Sequence, residues 1–166
     1  PVINHIAYKP DKAQHDQIVK RFQKQDAIVI YVPDHGEECY EENRGFICRN
    51  HSAEIDWPLA HYEFEIPFWI YCSPKYIRNH RDIYRQIRKA KDKRFMTDAL
   101  PHLLLYLAGI ETATYKEEYN ILSPKYDEMR PRILKNSADY DKLRDAHLEK
   151  IKKEESKKVK KKERRN

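Results

Sequence analysis

The chain has 166 residues, 40% hydrophobic and 36% charged, enough for one domain with a real core, short for two, and too apolar for a disordered chain. No stretch reaches about 18 uninterrupted apolar residues. The best candidate, residues 99–110, is cut by Pro101, His102 and Gly109, and no signal peptide stands at Pro1, so neither a membrane span nor an export signal is expected. A start at proline rather than methionine points to a processed or excised piece. The formal charge of +6 is local: residues 150–166 carry ten Lys or Arg against three Glu, which leaves residues 1–149 at −1. Two segments follow, a body of residues 1–149 and a basic tail of residues 150–166, helical or disordered. Cys39, Cys48 and Cys72 are too few for a disulfide framework and form no CxxC zinc pair; a Cys39–Cys48 bridge would need an oxidising compartment.

In chain order, residues 11–24 put Ile18, Val19 and Phe22 on one face among polar residues, the pattern of an amphipathic helix. Residues 27–32 (AIVIYV) are a continuous, largely β-branched run, suited to a strand covered on both faces of a parallel sheet. Pro33 ends it, and residues 34–56 read as a polar loop. Residues 67–72 (PFWIYC) form a second buried-strand candidate, closed by Ser73-Pro74. Residues 79–90, with Ile83 and Ile87 four apart, fit a surface helix. Thr97 or Asp98 can cap a helix running to Leu107, with Pro101 in its first turn and Gly109 past its end. Leu100, Leu103, Leu104 and Leu107 mark it as a core helix. Residues 111–135 look irregular, and Ser137 can cap a last helix that enters the lysine tail. Helix followed by buried strand is half of an α/β unit, so the fold class expected is α/β. With three glycines in the chain, a glycine-rich phosphate loop is excluded.

The residues that could do chemistry cluster directly after the first strand, in Asp34-His35-Gly36-Glu37-Glu38. Ligands of open parallel sheets bind at the carboxyl ends of strands, which is where this cluster falls. A carboxylate beside an imidazole offers the oxygen and nitrogen donors that zinc and similar divalent ions take. Gly36 would let the backbone turn sharply away. Two further imidazoles follow, His51 within Asn50-His51-Ser52, and His61 before the next strand. A loop carrying His51 between two buried strands can fold back over their ends.

The run from Ile28 to Glu38, IVIYVPDHGEE, resembles the YxSDHGE segment of phosphoethanolamine transferases, in the sulfatase branch of the alkaline-phosphatase superfamily. The resemblance continues through Asn50-His51-Ser52, where the family commonly has Gly-His-Ser, and through Glu65-Ile66-Pro67-Phe68-Trp69-Ile70, similar to its xIPFxxW strand. Residues 95–110 (FMTDALPHLLLYLAGI) are similar to the helix reading D(I/L)xPTLLxLxGI across the branch. Together these segments cover roughly residues 15–135 in the family's order.

That resemblance implies a partial alkaline-phosphatase-like three-layer α/β/α sandwich with a mainly parallel sheet. It implies the C-terminal part of a metal-dependent enzyme whose threonine nucleophile moves phosphoethanolamine from a phospholipid donor to lipid A or core sugar of lipopolysaccharide. Asp34 and His35 match two of the family's zinc ligands, and His51 a histidine near the transferred phosphoryl group; Gly36, Glu37 and His61 would support them. Zinc, or another divalent metal, is the implied cofactor. The implied parent sits in a bacterial inner membrane with its catalytic domain in the periplasm. Departures from the pattern are Pro33 in place of a small hydroxyl residue and Asn50 in place of glycine. The family's nucleophile and remaining acidic ligand lie upstream of DHGE, where this chain has thirty-three residues. Thr97, Thr112 and Thr114 do not sit at a strand-to-helix turn, so no nucleophile is assigned and the chain alone is expected to be inactive.

Two alternatives stay open. A sulfatase or phosphodiesterase of the same superfamily would need its own nucleophile; no C/S-x-P-x-R sequence follows Cys39, Cys48 or Cys72. A non-catalytic module would bind anionic lipid through its basic tail. Nucleic acid is not expected as a partner, because no aromatic residues interleave with the basic ones.

Overall fold

The computed structural model describes residues 2–3, 12–44, 46–48, 54–135 and 137–163. In chain order the elements are β1 (Val2–Ile3), α1 (Lys12–Phe22), β2 (Ile28–Tyr31), β3 (Glu38–Cys39), β4 (Phe46–Cys48), α2 (Trp57–Phe64) and β5 (Trp69–Cys72). There follow α3 (Pro74–Asn79), α4 (Arg81–Ala90), β6 (Phe95–Met96), α5 (Leu100–Leu107), β7 (Ile133–Leu134), β8 (Ala138–Asp139) and α6 (Tyr140–Glu163). The chain divides into two compact units, Pro1–Gly36 with Glu65–Arg130, and Glu37–Phe64 with Pro131–Asn166.

In the first unit, β2 and β5 pair antiparallel in the register Ile28↔Cys72, Val29↔Tyr71, Ile30↔Ile70 and Tyr31↔Trp69. Both are runs of β-branched and aromatic residues, which pack well on a pleated surface. The last pair stacks, with ring centroids 5.3 Å apart and planes 10° from parallel. At the other end of the ladder, Ser73 is fully buried. Its hydroxyl donates to the Gln25 carbonyl at 2.6 Å and accepts from the amides of Tyr76 at 3.0 Å and Ala27 at 3.3 Å. Ser73 thereby caps α3 and ties its start to the entry of β2, with Pro74 in the first turn where no amide is missed. The Ser73 amide adds a bond to the Ala27 carbonyl at 2.9 Å.

The core of this unit gathers on Phe68, which meets Phe95 at 5.4 Å, together with Ala99, Leu103, Ile121, Ile87 and Ala90. β6 pairs antiparallel with β1 and brings Phe95 inward. α5 buries Leu103, while Leu104 is 45% exposed, so the expected four-leucine stripe is narrower than the spacing suggested. Gly109 closes the helix with φ +66, donating to the Tyr106 carbonyl at 3.1 Å. Asp98 does not cap α5: a 3₁₀ turn, Thr97–Ala99, leads into the helix without a side-chain cap. Its carboxylate instead takes two bonds from Arg130, at 2.5 and 2.9 Å, and Arg130 lies 4.3 Å over the Tyr119 ring.

In the second unit, β3 and β4 form a bulged antiparallel hairpin around a 3₁₀ turn at Glu41–Asn43, within the stretch expected to be loop. Tyr40 and Asn43 adopt positive φ there. Buried Glu38 faces Arg44 (Nε to Oε1 3.2 Å), which also reaches Asp56 at 2.8 Å. Asp56 accepts the Leu59 amide at 3.1 Å and so starts α2, a helix the sequence reading did not assign. α6 begins on Asp139, whose Oδ1 accepts the amides of Asp141 and Lys142, rather than on Ser137. Arg132, 3% exposed, pairs with Asp141 through Nε and Nη2 and lies 4.5 Å over the Tyr140 ring. Leu59, Ala60, Leu134 and Tyr140 are the buried apolar side chains around them.

All four strand pairs among the described residues are antiparallel, each in a two-stranded sheet. The mainly parallel sheet expected from the continuous apolar runs is therefore not what these strands form. A run without alternation reports cover on both faces and is silent on strand direction.

Candidate functional site

The chain leaves β2 at Tyr31 and meets Pro33, whose missing amide ends the ladder. Directly beyond it come Asp34, its side chain 88% exposed, and His35, 21% exposed. The Asp34 Oδ1 accepts the His35 amide at 3.1 Å, which folds the carboxylate back toward its neighbour. The His35 Nδ1 lies 2.8 Å from the Gly36 carbonyl oxygen. A carbonyl only accepts, so Nδ1 carries the proton and the neutral ring's lone pair is at Nε2. That is the tautomer in which an imidazole binds a metal, with its other nitrogen held by a carbonyl. Nε2 and the Asp34 Oδ2 are 3.4 Å apart. Two donors on a tetrahedral ion, each about 2.0–2.1 Å from it, lie about 3.3–3.4 Å from one another. The pair thus has the spacing of two neighbouring corners of a zinc site. Its donor chemistry fits the ion for two positions, and no group of three or more His, Cys, Asp and Glu is placed to hold a metal among the described residues.

The other sequence-derived positions fall in different surroundings. Gly36 contributes its carbonyl rather than a left-handed turn; among the described glycines the positive φ belongs to Gly109. Glu37 belongs to the second unit and is exposed. There, burial first, and then the carboxylates of Glu41 and Glu37, push the Cys39 thiol above its ordinary range. His61 is also in the second unit, on α2. It stacks on Trp57 at 5.6 Å and meets Tyr62 edge-on at 4.7 Å, which makes it a packing residue of that helix. His51, with Asn50 and Ser52, lies outside the described residues. Thr97 sits in the turn before α5, while Thr112 and Thr114 share a hydrogen bond of 3.1 Å on exposed chain beyond it.

A residue the sequence reading treated as mere strand is Trp69. It is 6% exposed, backs Tyr31 at the end of β2, and its indole nitrogen has no hydrogen-bond partner among the described residues. The Tyr31–Trp69 stack fixes the point from which the Asp34-His35 loop departs. A tryptophan in the second strand candidate was the available signal.

No family model matches the sequence, and no curated protein matches it. The chain combines helices and small two-stranded sheets, with an acid–imidazole pair at a strand end. This structure is similar to the crystal structure of the C-terminal periplasmic domain of EcEptC from Escherichia coli, at 26% sequence identity and a TM-score of 0.58. The similarity covers 76% of this chain and 36% of that one, so the chain spans about a third of the solved domain. No helix among the described residues is long and apolar enough to cross a membrane.

Proposed function

We propose that this chain supplies the Asp34-His35 part of the metal site of a phosphoethanolamine transferase. The observation that carries the reading is the His35 geometry, with Nδ1 bound to the Gly36 carbonyl and Nε2 3.4 Å from the Asp34 carboxylate. It is supported by the DHGE, IPF and LAGI segments and by the similarity to EcEptC, a phosphoethanolamine transferase. The complete catalytic domain would be a three-layer α/β/α sandwich with a mainly parallel sheet, periplasmic and tethered to an inner membrane, of which residues 1–149 form the C-terminal part. The donor would be a phospholipid and the acceptor lipid A or a core sugar of lipopolysaccharide.

Asp34 and His35 would hold the ion, and zinc bound there supplies Lewis-acid stabilisation of the phosphoryl oxygens and of a nucleophilic alkoxide. The Gly36 carbonyl keeps the His35 ring aimed, since rotation would cost the 2.8 Å bond. Asp34 adds a negative charge that favours a divalent cation over a water molecule. His51, if protonated, would donate a hydrogen bond to a phosphoryl oxygen or return a proton to the leaving oxygen. The nucleophile would come from outside this chain, which by itself should not turn over phosphoesters.

The test is zinc content beside transfer of phosphoethanolamine from a labelled phospholipid, in the full-length enzyme with substitutions at these positions. Asp34→Asn and His35→Ala should each lose at least tenfold in zinc affinity and nearly all transfer. His51→Ala should keep its zinc and slow on the order of ten- to ten-thousand-fold. A His35→Ala enzyme that keeps both metal and rate would falsify the assignment. Release of sulfate rather than transfer of phosphoethanolamine would favour a sulfatase.

A further inference from the structure

We propose that the distal half of α6 is an electrostatic docking surface for an anionic phospholipid bilayer. Every side chain from Leu148 to Lys160 is exposed. Within that span Lys150, Lys153, Lys157 and Lys160 follow one another at steps of three, four and three residues. At about 3.6 residues per turn this spacing places all four ammonium groups on one face. At about 1.5 Å per residue they form a row about 15 Å long. Lys152 and Lys158 lie about 120° to either side of this row, toward the far face of the helix, and do not belong to it. Glu149 pairs with Lys153 at 3.5 Å, and Glu154 and Glu155 lie off the four-lysine row. The exposed apolar residues of this half, Leu148, Ile151 and Val159, fall on the opposite side of the helix by the same spacing. The lysine face would therefore meet its partner through charge and not by inserting side chains.

The chemistry of the face decides among anionic partners. Between Lys150 and Lys160 every cation is a lysine and no residue is aromatic. Base recognition relies on the flat, bidentate guanidinium and on aromatic stacking, neither of which this segment offers. Mobile point charges on flexible stems suit a fluid surface whose negative groups have no fixed register. Juxtamembrane polybasic segments are held at anionic leaflets in this way, each lysine adding to the attraction within a Debye length. Residues 1–149 carry a net charge of −1, but within them residues 75–94 hold nine Lys or Arg against two Asp, and the control below probes that competing basic segment at Lys75 and Lys89. The inference does not depend on the reaction proposed above.

The experiment is co-sedimentation of the full chain with vesicles of phosphatidylcholine alone, or with about a third phosphatidylglycerol, across a salt series. Binding should be confined to the anionic vesicles and fall steeply between low and physiological salt. Replacing Lys150, Lys153, Lys157 and Lys160 together by Gln should weaken it on the order of a hundredfold or more. The replaced side chains are exposed, so the far-ultraviolet spectrum should be unchanged, and a variant carrying the same four changes at Lys20, Lys24, Lys75 and Lys89 controls for net charge alone. Equal binding to neutral vesicles, an equal loss in the control, or tighter binding to single-stranded DNA at matched salt would each overturn the proposal.

Discussion

Replacing Ser73 by alanine should loosen the end of the β2–β5 ladder without touching an apolar contact. The hydroxyl is fully buried and makes three bonds, to Gln25, Ala27 and Tyr76. Loss of a helix cap costs about 1 kcal/mol. The Gln25 carbonyl and Ala27 amide also lose a partner, and a buried group left without one costs about 1–3 kcal/mol. The backbone bond from the Ser73 amide to the Ala27 carbonyl, 2.9 Å, survives and limits the damage. A total of about 2–4 kcal/mol follows, a sizeable part of the 5–15 kcal/mol that usually holds a domain together. Urea unfolding gives the total, and amide exchange gives its location: the Ala27 and Tyr76 amides should exchange faster than in the parent. The register runs from Ile28↔Cys72 to Tyr31↔Trp69, so the loosening should start at the Ile28 end and reach the stacked Tyr31–Trp69 pair last. A loss under about 0.5 kcal/mol with both amides unchanged would refute the clamp.

The Asp98–Arg130 pair should make stability depend on acid. The hydrogen bonds from Arg130 hold the Asp98 carboxyl below its ordinary range, partly opposed by burial. A lowered folded-state value means the contribution is complete above the ordinary carboxylate range and is lost as pH falls through the folded value. Asp98 is 49% exposed, so solvent screening keeps the contribution to about 1 kcal/mol or less. In acid titrations followed by urea unfolding, Asp98→Asn should flatten that part of the curve; an unchanged slope would count against the pair. Cys72 should resist alkylation: burial pushes its thiol up to about 11, from an ordinary value of 9.0. At pH 8 its thiolate is then about a hundredfold scarcer than that of an ordinary cysteine. Labelling resolved by peptide mass spectrometry should leave Cys72 intact in the folded chain and modify it in urea, and rapid labelling without denaturant would contradict its burial.

That Asp34 and His35 stand side by side beyond a strand was readable from the sequence because they are neighbours in the chain. Asp34 and His35 need only a strand end and a proline stop to be brought together, and both signals are local. The Gly36 carbonyl was not readable, since a backbone acceptor has no residue-type signature. The strands were visible in the runs around Ile30 and Ile70, whereas their antiparallel pairing was hidden, as pairing is a long-range property. α2 was missed because Trp57–Phe64 is short and mixes apolar residues on all sides, although Asp56 and Pro58 spelled its start. The Ser137 cap failed by two residues: Asp139 competes for the same helix and its carboxylate accepts two amides. Leu104 fits the leucine spacing and still faces solvent, because an eight-residue helix has room for one buried edge.

The two tryptophans of the chain fall one to each unit, Trp69 against Tyr31 in the first and Trp57 between the rings of His61, His147 and Tyr140 in the second. Each indole is therefore a resident fluorophore for its own half of the molecule. Trp69 has a tyrosine ring at 5.3 Å, while Trp57 has imidazole neighbours at 5.2 and 5.6 Å, so the two indoles sit in different surroundings. With Trp57→Phe or Trp69→Phe, a single emission trace follows one unit at a time, and comparison of the two melting curves reports directly whether the halves come apart together or in sequence.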